Sequence, residues 1–187
     1  EKSYEGDNDE EEESEVESPE VIDEEVARQF LEDDESISFW EFTAITDEAA
    51  DILSKYQGSK FNGGLSLSGL TSLTDAAAES LSRYEGDLRL SGLTSLTDAA
   101  AESLSKHEGE LALDYVCDLS EDAVVSLSKH KGNLSLGVNS LSDTDAESLS
   151  SHKGGLYFKE LDVLSDVAAE SLSKHKGGLD IWAVEEL

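Results

Sequence analysis

Residues 67–82 read LSGLTSLTDAAAESLS, and residues 90–105 read LSGLTSLTDAAAESLS again, letter for letter, 23 positions later. Aligned outward from this pair, the chain from residue 37 follows one template: L-x-L-x-x-L-x-x-L-[TS]-[DE], an Ala-rich stretch, then L-S-[KR]-[HY]-x-G. The first leucine position falls at Ile37, Leu65, Leu88, Leu111, Leu134, Leu156 and Leu179, in steps of 28, 23, 23, 23, 22 and 23 residues. The long first step is explained by an insertion near Ser59 to Gly63, and the short one by a trimmed loop near Val138 and Asn139. A fixed period of this length marks a solenoid of stacked units.

Each unit divides into two kinds of structure. Leu88-Arg89-Leu90 alternates apolar and polar with period two, which predicts a short strand. Thr46-Asp47, Thr74-Asp75, Thr97-Asp98, Ser120-Glu121, Ser142-Asp143 and Ser165-Asp166 each place a capping hydroxyl before a carboxylate, the signature of a helix start. Apolar residues at helical spacing follow, such as Ala78 and Leu81 or Val124 and Leu127. A glycine (Gly58, Gly86, Gly109, Gly132, Gly154, Gly177) is expected to end each helix. These parts fill the period and predict no second strand per unit, so successive strands are parallel neighbours with the helices stacked behind them. One unit offers only Leu88, Leu90, Leu93, Leu96, Ala101 and Leu104 as inward residues, too few to offset its chain entropy, so it must share a core with its neighbours.

The L-x-L-x-x-L core with its 20-odd-residue period resembles the leucine-rich repeats, and the TDAAAESLSKH-x-G helix resembles a variant found in bacterial proteins. The likeness covers residues 37–187. It implies an α/β, leucine-rich-repeat-like solenoid with one short parallel strand and one helix per 22–28-residue repeat. It also implies an open arc that presents its strand face to partners; it implies no reaction. In one respect the chain departs from the common pattern: Leu70, Leu93, Val116, Leu161 and Val184 stand where many such repeats carry an asparagine ladder, and Asn139 alone is a candidate for it.

Outside the repeats, the sequence predicts three regions: an acidic tail at 1–20, a capping helix within 21–36 and seven strand units over 37–187. Residues 1–20 carry eleven Asp and Glu against the single Lys2, and DNDEEEE at 7–13 has no apolar residue, so the tail is expected to be disordered, as a linker or a docking segment for a basic partner. In 21–32, VIDEEVARQFLE spaces Ile22, Val26 and Phe30 four apart, an amphipathic helix that covers the first repeat, with Pro19 just before it. Leu179, Ile181, Val184 and Leu187 complete a strand template where a helix should follow.

Composition narrows the function classes. The formal net charge is −31, which argues against nucleic acid and anionic membranes as partners and leaves basic proteins and divalent cations. No apolar run approaches the roughly 20 residues of a membrane span. A lone cysteine, Cys117, admits no intrachain disulfide and no cysteine-based zinc motif. The chain contains no methionine, so it is expected to be a processed protein or an excised fragment, with a slight lean towards export or the cell surface.

Three rows of residues are candidate sites. The outward strand positions are the expected partner surface: Trp40, Ser66, Ser68, Arg89, Ser91, Asp114, Ser135, Tyr157, Lys159, Asp180 and Trp182, with Ser38, Ala112 and Gly137 between them and Tyr115 on the rim. Exposed Trp, Tyr and Arg are common interface anchors, although Trp40 and Trp182 lie in terminal units and are equally read as packing under caps. His107, His130, His152 and His175 share one position near the helix ends. A metal or pH-sensing ladder competes there with a half-buried ring facing the helix dipole, and Tyr56 and Tyr84 in the same slot favour the latter. Asp75, Asp98, Glu121, Asp143 and Asp166 are read as helix-start acids rather than calcium ligands, since no loop carries D-x-D-x-D-G spacing. No nucleophile elbow, phosphate loop or dinucleotide fingerprint occurs, so neither a catalytic residue nor a cofactor is expected. The expectation is a non-catalytic binding or scaffolding module, with a self-associating, cation-dependent structural component as the alternative.

Overall fold

In the computed structural model, residues 20–58 and 64–182 are described. The predicted tail, the insertion at 59–63 and the template positions Val184 and Leu187 lie outside them, apart from Glu20. Strands and helices alternate: β1 (Val21–Ile22), α1 (Glu24–Glu32), β2 (Ala44–Ile45), α2 (Asp47–Leu53), β3 (Gly64–Ser66), α3 (Asp75–Leu81), β4 (Asp87–Arg89), α4 (Asp98–Leu104), β5 (Leu111–Leu113), α5 (Glu121–Leu127), β6 (Leu134–Leu136), α6 (Asp143–Ser150), β7 (Leu156–Phe158), α7 (Asp166–Leu172) and β8 (Leu179–Ile181). The strands β3 to β8 form one six-stranded, wholly parallel sheet in sequence order. Register follows the template: Leu65 pairs with Leu88, Leu88 with Leu111, Leu111 with Leu134, Leu134 with Leu156 and Leu156 with Leu179. Adjacent helices pack in the same order, α1 on α2 through α6 on α7. This is the α/β solenoid that the period predicts.

The core is the continuous apolar layer between sheet and helices. Leu88, Leu90 and Leu93 are fully buried, as are Ala100, Ala101 and Leu104 of the helix behind them, and the same holds one unit on for Leu111, Leu113, Val116, Ala123 and Leu127. Leu70, Leu93, Val116 and Leu161, the apolar residues expected in place of an asparagine ladder, are buried. In the trimmed unit Val138 turns inward and Asn139 is exposed. No helix among the described residues is long and apolar enough to cross a membrane.

Each template helix starts as its sequence dictates. The side chains of Thr46, Thr74, Thr97, Ser120, Ser142 and Ser165 accept from the backbone N–H three residues on, which satisfies a donor that the first turn leaves unpaired. The helix-start acids also link units: Thr97 donates to Asp75 at 2.5 Å and Ser165 to Asp143 at 2.5 Å, and Thr74 and Ser120 donate to Asp47 and Asp98 in the same way.

Four details differ from the sequence reading. Ile37–Phe39 forms no strand. Phe39 takes a leucine slot, packs its ring on Phe30 at 4.6 Å, and the Phe42 N–H closes a turn onto the Phe39 carbonyl. The large sheet therefore has six strands where seven units were counted. Its first unit nevertheless keeps its place, because a Cβ at Gly69 would lie 2.5 Å from the Trp40 carbonyl. The capping helix starts at Glu24, after Asp23 as N-cap, and Ile22 belongs to β1, buried and paired in parallel with β2 through Ile45.

A second line of strand pairing does exist. It comprises β1–β2 and the bridges Ser95 to Asp118 and Ser140 to Val163, at the loop just before each helix, where two extended residues suffice to reach the next unit. Nor do the template helices end at glycine. They end at Ser54, Ser82, Ser105, Ser128, Ser151 and Ser173, all right-handed caps. The glycines serve close approach instead: a Cβ at Gly109, Gly132, Gly154 or Gly177 would lie 2.0–2.3 Å from the carbonyl oxygen of the glycine one unit earlier.

Candidate binding face

Strand alternation sends every second side chain of β3–β8 away from the core. The parallel register then aligns these side chains across units. Ser66, Arg89, Ala112, Ser135, Tyr157 and Asp180 stand in one row, each paired with the next. Ser68, Ser91, Asp114, Gly137, Lys159 and Trp182 occupy the template position two residues on, with Trp40 in the first unit. The first row lies on the strands themselves and the second just past their ends, with Ser68, Ser91 and Asp114 in turns; Ser38 and Trp40 precede β3 in a segment that forms no strand.

The centre of this face is knitted together. Asp114 accepts from the Ser91 hydroxyl at 2.7 Å and also from the Ser135 hydroxyl. Ala112 and Ser135 are buried by their neighbours, so the middle offers small, already bonded groups. The two ends differ. Trp40 is 70% exposed and Trp182 58% exposed, so neither ring packs under a cap. Lys159 holds its ammonium 4.7 Å from the Trp182 ring centre, a cation–π contact that fixes that indole from one side. Arg89 is exposed, Tyr157 half-buried, and Tyr115 exposed beside the face with the Cys117 thiol donating to its carbonyl at 3.4 Å. At the Trp40 end a groove is lined by Asp34, Glu35, Ser38, Trp40, Gly64 and Ser66 among others. No sequence motif marks this groove, because it arises where the first unit fails to form a strand.

The aromatic row is a column of stacked rings. Tyr56, Tyr84, His107, His130, His152 and His175 follow one another at centroid distances of 6.0–6.3 Å with interplanar angles of 16° or less. His107, His130 and His152 are buried outright rather than half-buried. Burial lowers the pKa of all three, that of His130 to about 4 with added repulsion from His107 and His152. The His152 Nε2 lies 3.0 Å from the Gly132 carbonyl. The Gly86 and Gly109 carbonyls face His107 and His130 from the matching place, outside full hydrogen-bond geometry. These imidazoles are therefore neutral near pH 7 and act as flat packing groups, the same task the tyrosines perform. No group of three or more His, Cys, Asp or Glu among the described residues is arranged to hold a metal ion.

No family model, no curated protein and no solved structure matches this chain.

Proposed function

We propose that this chain is a non-catalytic protein-binding or scaffolding module that recognises a partner through the outward face of its sheet. In this reading it is a leucine-rich-repeat-type solenoid of the bacterial variant. The observation that carries the reading is the surface of two residue rows with exposed tryptophans at its ends, Trp40 at one and Trp182 beside the half-buried Tyr157 and Lys159 at the other, and the exposed Arg89 between. Trp and Tyr give large contact area at low entropy cost, and Trp, Tyr and Arg are enriched among the residues that dominate measured interface energies. A rigid sheet supplies their positions in advance, so little ordering cost falls on binding. The template resemblance supports the same use of the strand face, and the net charge of −31 favours a basic partner.

The test is affinity capture with the full chain against a quadruple exchange of Trp40, Arg89, Tyr157 and Trp182 for Ala. The expected outcome is loss of a specific set of captured proteins with the circular dichroism spectrum unchanged. An identical captured set from both proteins overturns the proposal.

A further inference from the structure

The two ends of the solenoid are finished differently. At the first end α1 has no template sequence, carries Glu24, Glu25 and Glu32 outward, and closes the core with Phe30 against Phe39 and Tyr56. At the other end, positions that are closed in every inner unit stand open. Leu88, Leu111, Leu134 and Leu156 are 0% exposed, whereas the equivalent Leu179 is 39% exposed; Leu90, Leu113, Leu136 and Phe158 are 0%, whereas Ile181 is 36%. On the helix side Ala78, Ala101, Val124 and Ala146 are buried beneath the following helix, whereas Ala169 of α7 is exposed. His175 ends the ring column and is less buried than His107, His130 and His152.

We infer that the α7–β8 end is an acceptor surface for the helix of a further unit of the same template, [TS]-[DE]-x-A-[AV]-x-x-L, which packs its small residue on Ala169 and its leucine over Leu179. Two observations identify this occupant. The same face on α3, α4, α5 and α6 is covered each time by the next template helix and by nothing else of comparable extent. The sequence from Leu179 onward also begins a unit in template form, with L-x-I-x-x-V-x-x-L at 179–187, the nine positions that elsewhere lead directly into the capping hydroxyl. A second copy of the chain is a poor occupant, because its template helices already lie within its own stack and its free end presents the acidic α1. The inference is independent of the strand-face reading, since the surface lies at the end of the stack and not on its outward face.

The experiment extends the full chain after Leu187 by thirteen residues of its own sequence, TDAAAESLSKHEG from 97–109. Two companions accompany it: the same extension with its leucine replaced by aspartate, and Ala169→Glu in both the unextended and the extended chain. The extension is expected to raise the urea midpoint and to slow amide exchange at Leu179–Ile181 by about tenfold or more, with the protein still monomeric by sedimentation. The aspartate companion gives neither effect. Ala169→Glu changes little in the unextended chain, where the site is exposed, and abolishes the gain in the extended one. Equal midpoints for the leucine and aspartate extensions overturn the inference. So does an unextended chain that already sediments as a dimer with Leu179–Ile181 protected, because a second copy then fills the surface.

Discussion

At the residue scale, one hydroxyl at each helix start does two things. Thr97 accepts from the Ala100 N–H at 3.0 Å and donates to Asp75 of the preceding unit. Thr97→Ala removes both and is expected to cost about 1–2 kcal/mol, read as a lower urea midpoint; Thr97→Ser restores most of it. Asp75→Ala should lose the inter-unit bond and keep the cap, so its cost is the smaller. The glycine column makes a harder constraint. Gly132→Ala places a methyl 2.1 Å from the Gly109 carbonyl oxygen, where only backbone movement can relieve it. Destabilisation of about 1–3 kcal/mol is expected, against almost no effect for Gly178→Ala, where a Cβ meets nothing within 4 Å. Thermal unfolding of the two variants side by side checks this.

At the element scale, the ring column links the helix ends of successive units and is sensitive to acid at His107, His130 and His152. His107, His130 and His152 have folded-state pKa values below 6.5, lowered first by burial. The unfolded chain therefore takes up protons that the folded chain refuses as pH falls from about 6.5 towards 4. By linkage, the histidine contribution is complete above about pH 6.5 and is lost as pH drops through that window. Tyr56 and Tyr84 show which side chain fits the slot without that liability. Exchanging His107, His130 and His152 together for Tyr is expected to leave the melting temperature at pH 7.5 nearly unchanged and to remove most of its fall between pH 6.5 and 4.5. An equal fall in both proteins would show that the column does not govern acid sensitivity.

Period and helix starts were legible in the sequence because each has a local cause: alternation for the strands, a hydroxyl before a carboxylate for the helices. The depth of the ring column was not legible, since burial of His130 depends on neighbours a whole unit away. The failure of Ile37–Phe39 to become a strand was hidden for a related reason: a phenylalanine in a leucine slot satisfies the template while its ring seeks Phe30 on another element. The glycines were assigned to helix ends by their spacing, but only stacked coordinates show that they face a carbonyl. On the strand face, the alignment of Arg89 with Tyr157 and Asp180 followed from the repeat, whereas the Ser91–Asp114–Ser135 bonding and the Lys159–Trp182 contact needed the cross-strand distances.

At the scale of the whole molecule, each unit touches only its neighbours, so stability is a chain of interfaces rather than one centre. Amide exchange is expected to be slowest in β5 and β6 and faster in β8, whose Leu179 and Ile181 are partly exposed. Leu113→Ala, at a fully buried central site, should cost about 2–5 kcal/mol and broaden urea unfolding as the two flanking segments lose their coupling. The same exchange of Leu31, 40% exposed on α1, should cost far less.

The ring column also carries a message about curvature. Neighbouring strands in a sheet stand about 4.8 Å apart and packed helices about 8–10 Å apart, while the rings are spaced at 6.0–6.3 Å. Spacing thus widens step by step from the strand side to the helix side, and every unit is a wedge. Wedges fan out, so each added unit turns the stack further instead of lengthening a rod. The concavity on the strand side is accordingly set by that difference in spacing, repeated once per unit.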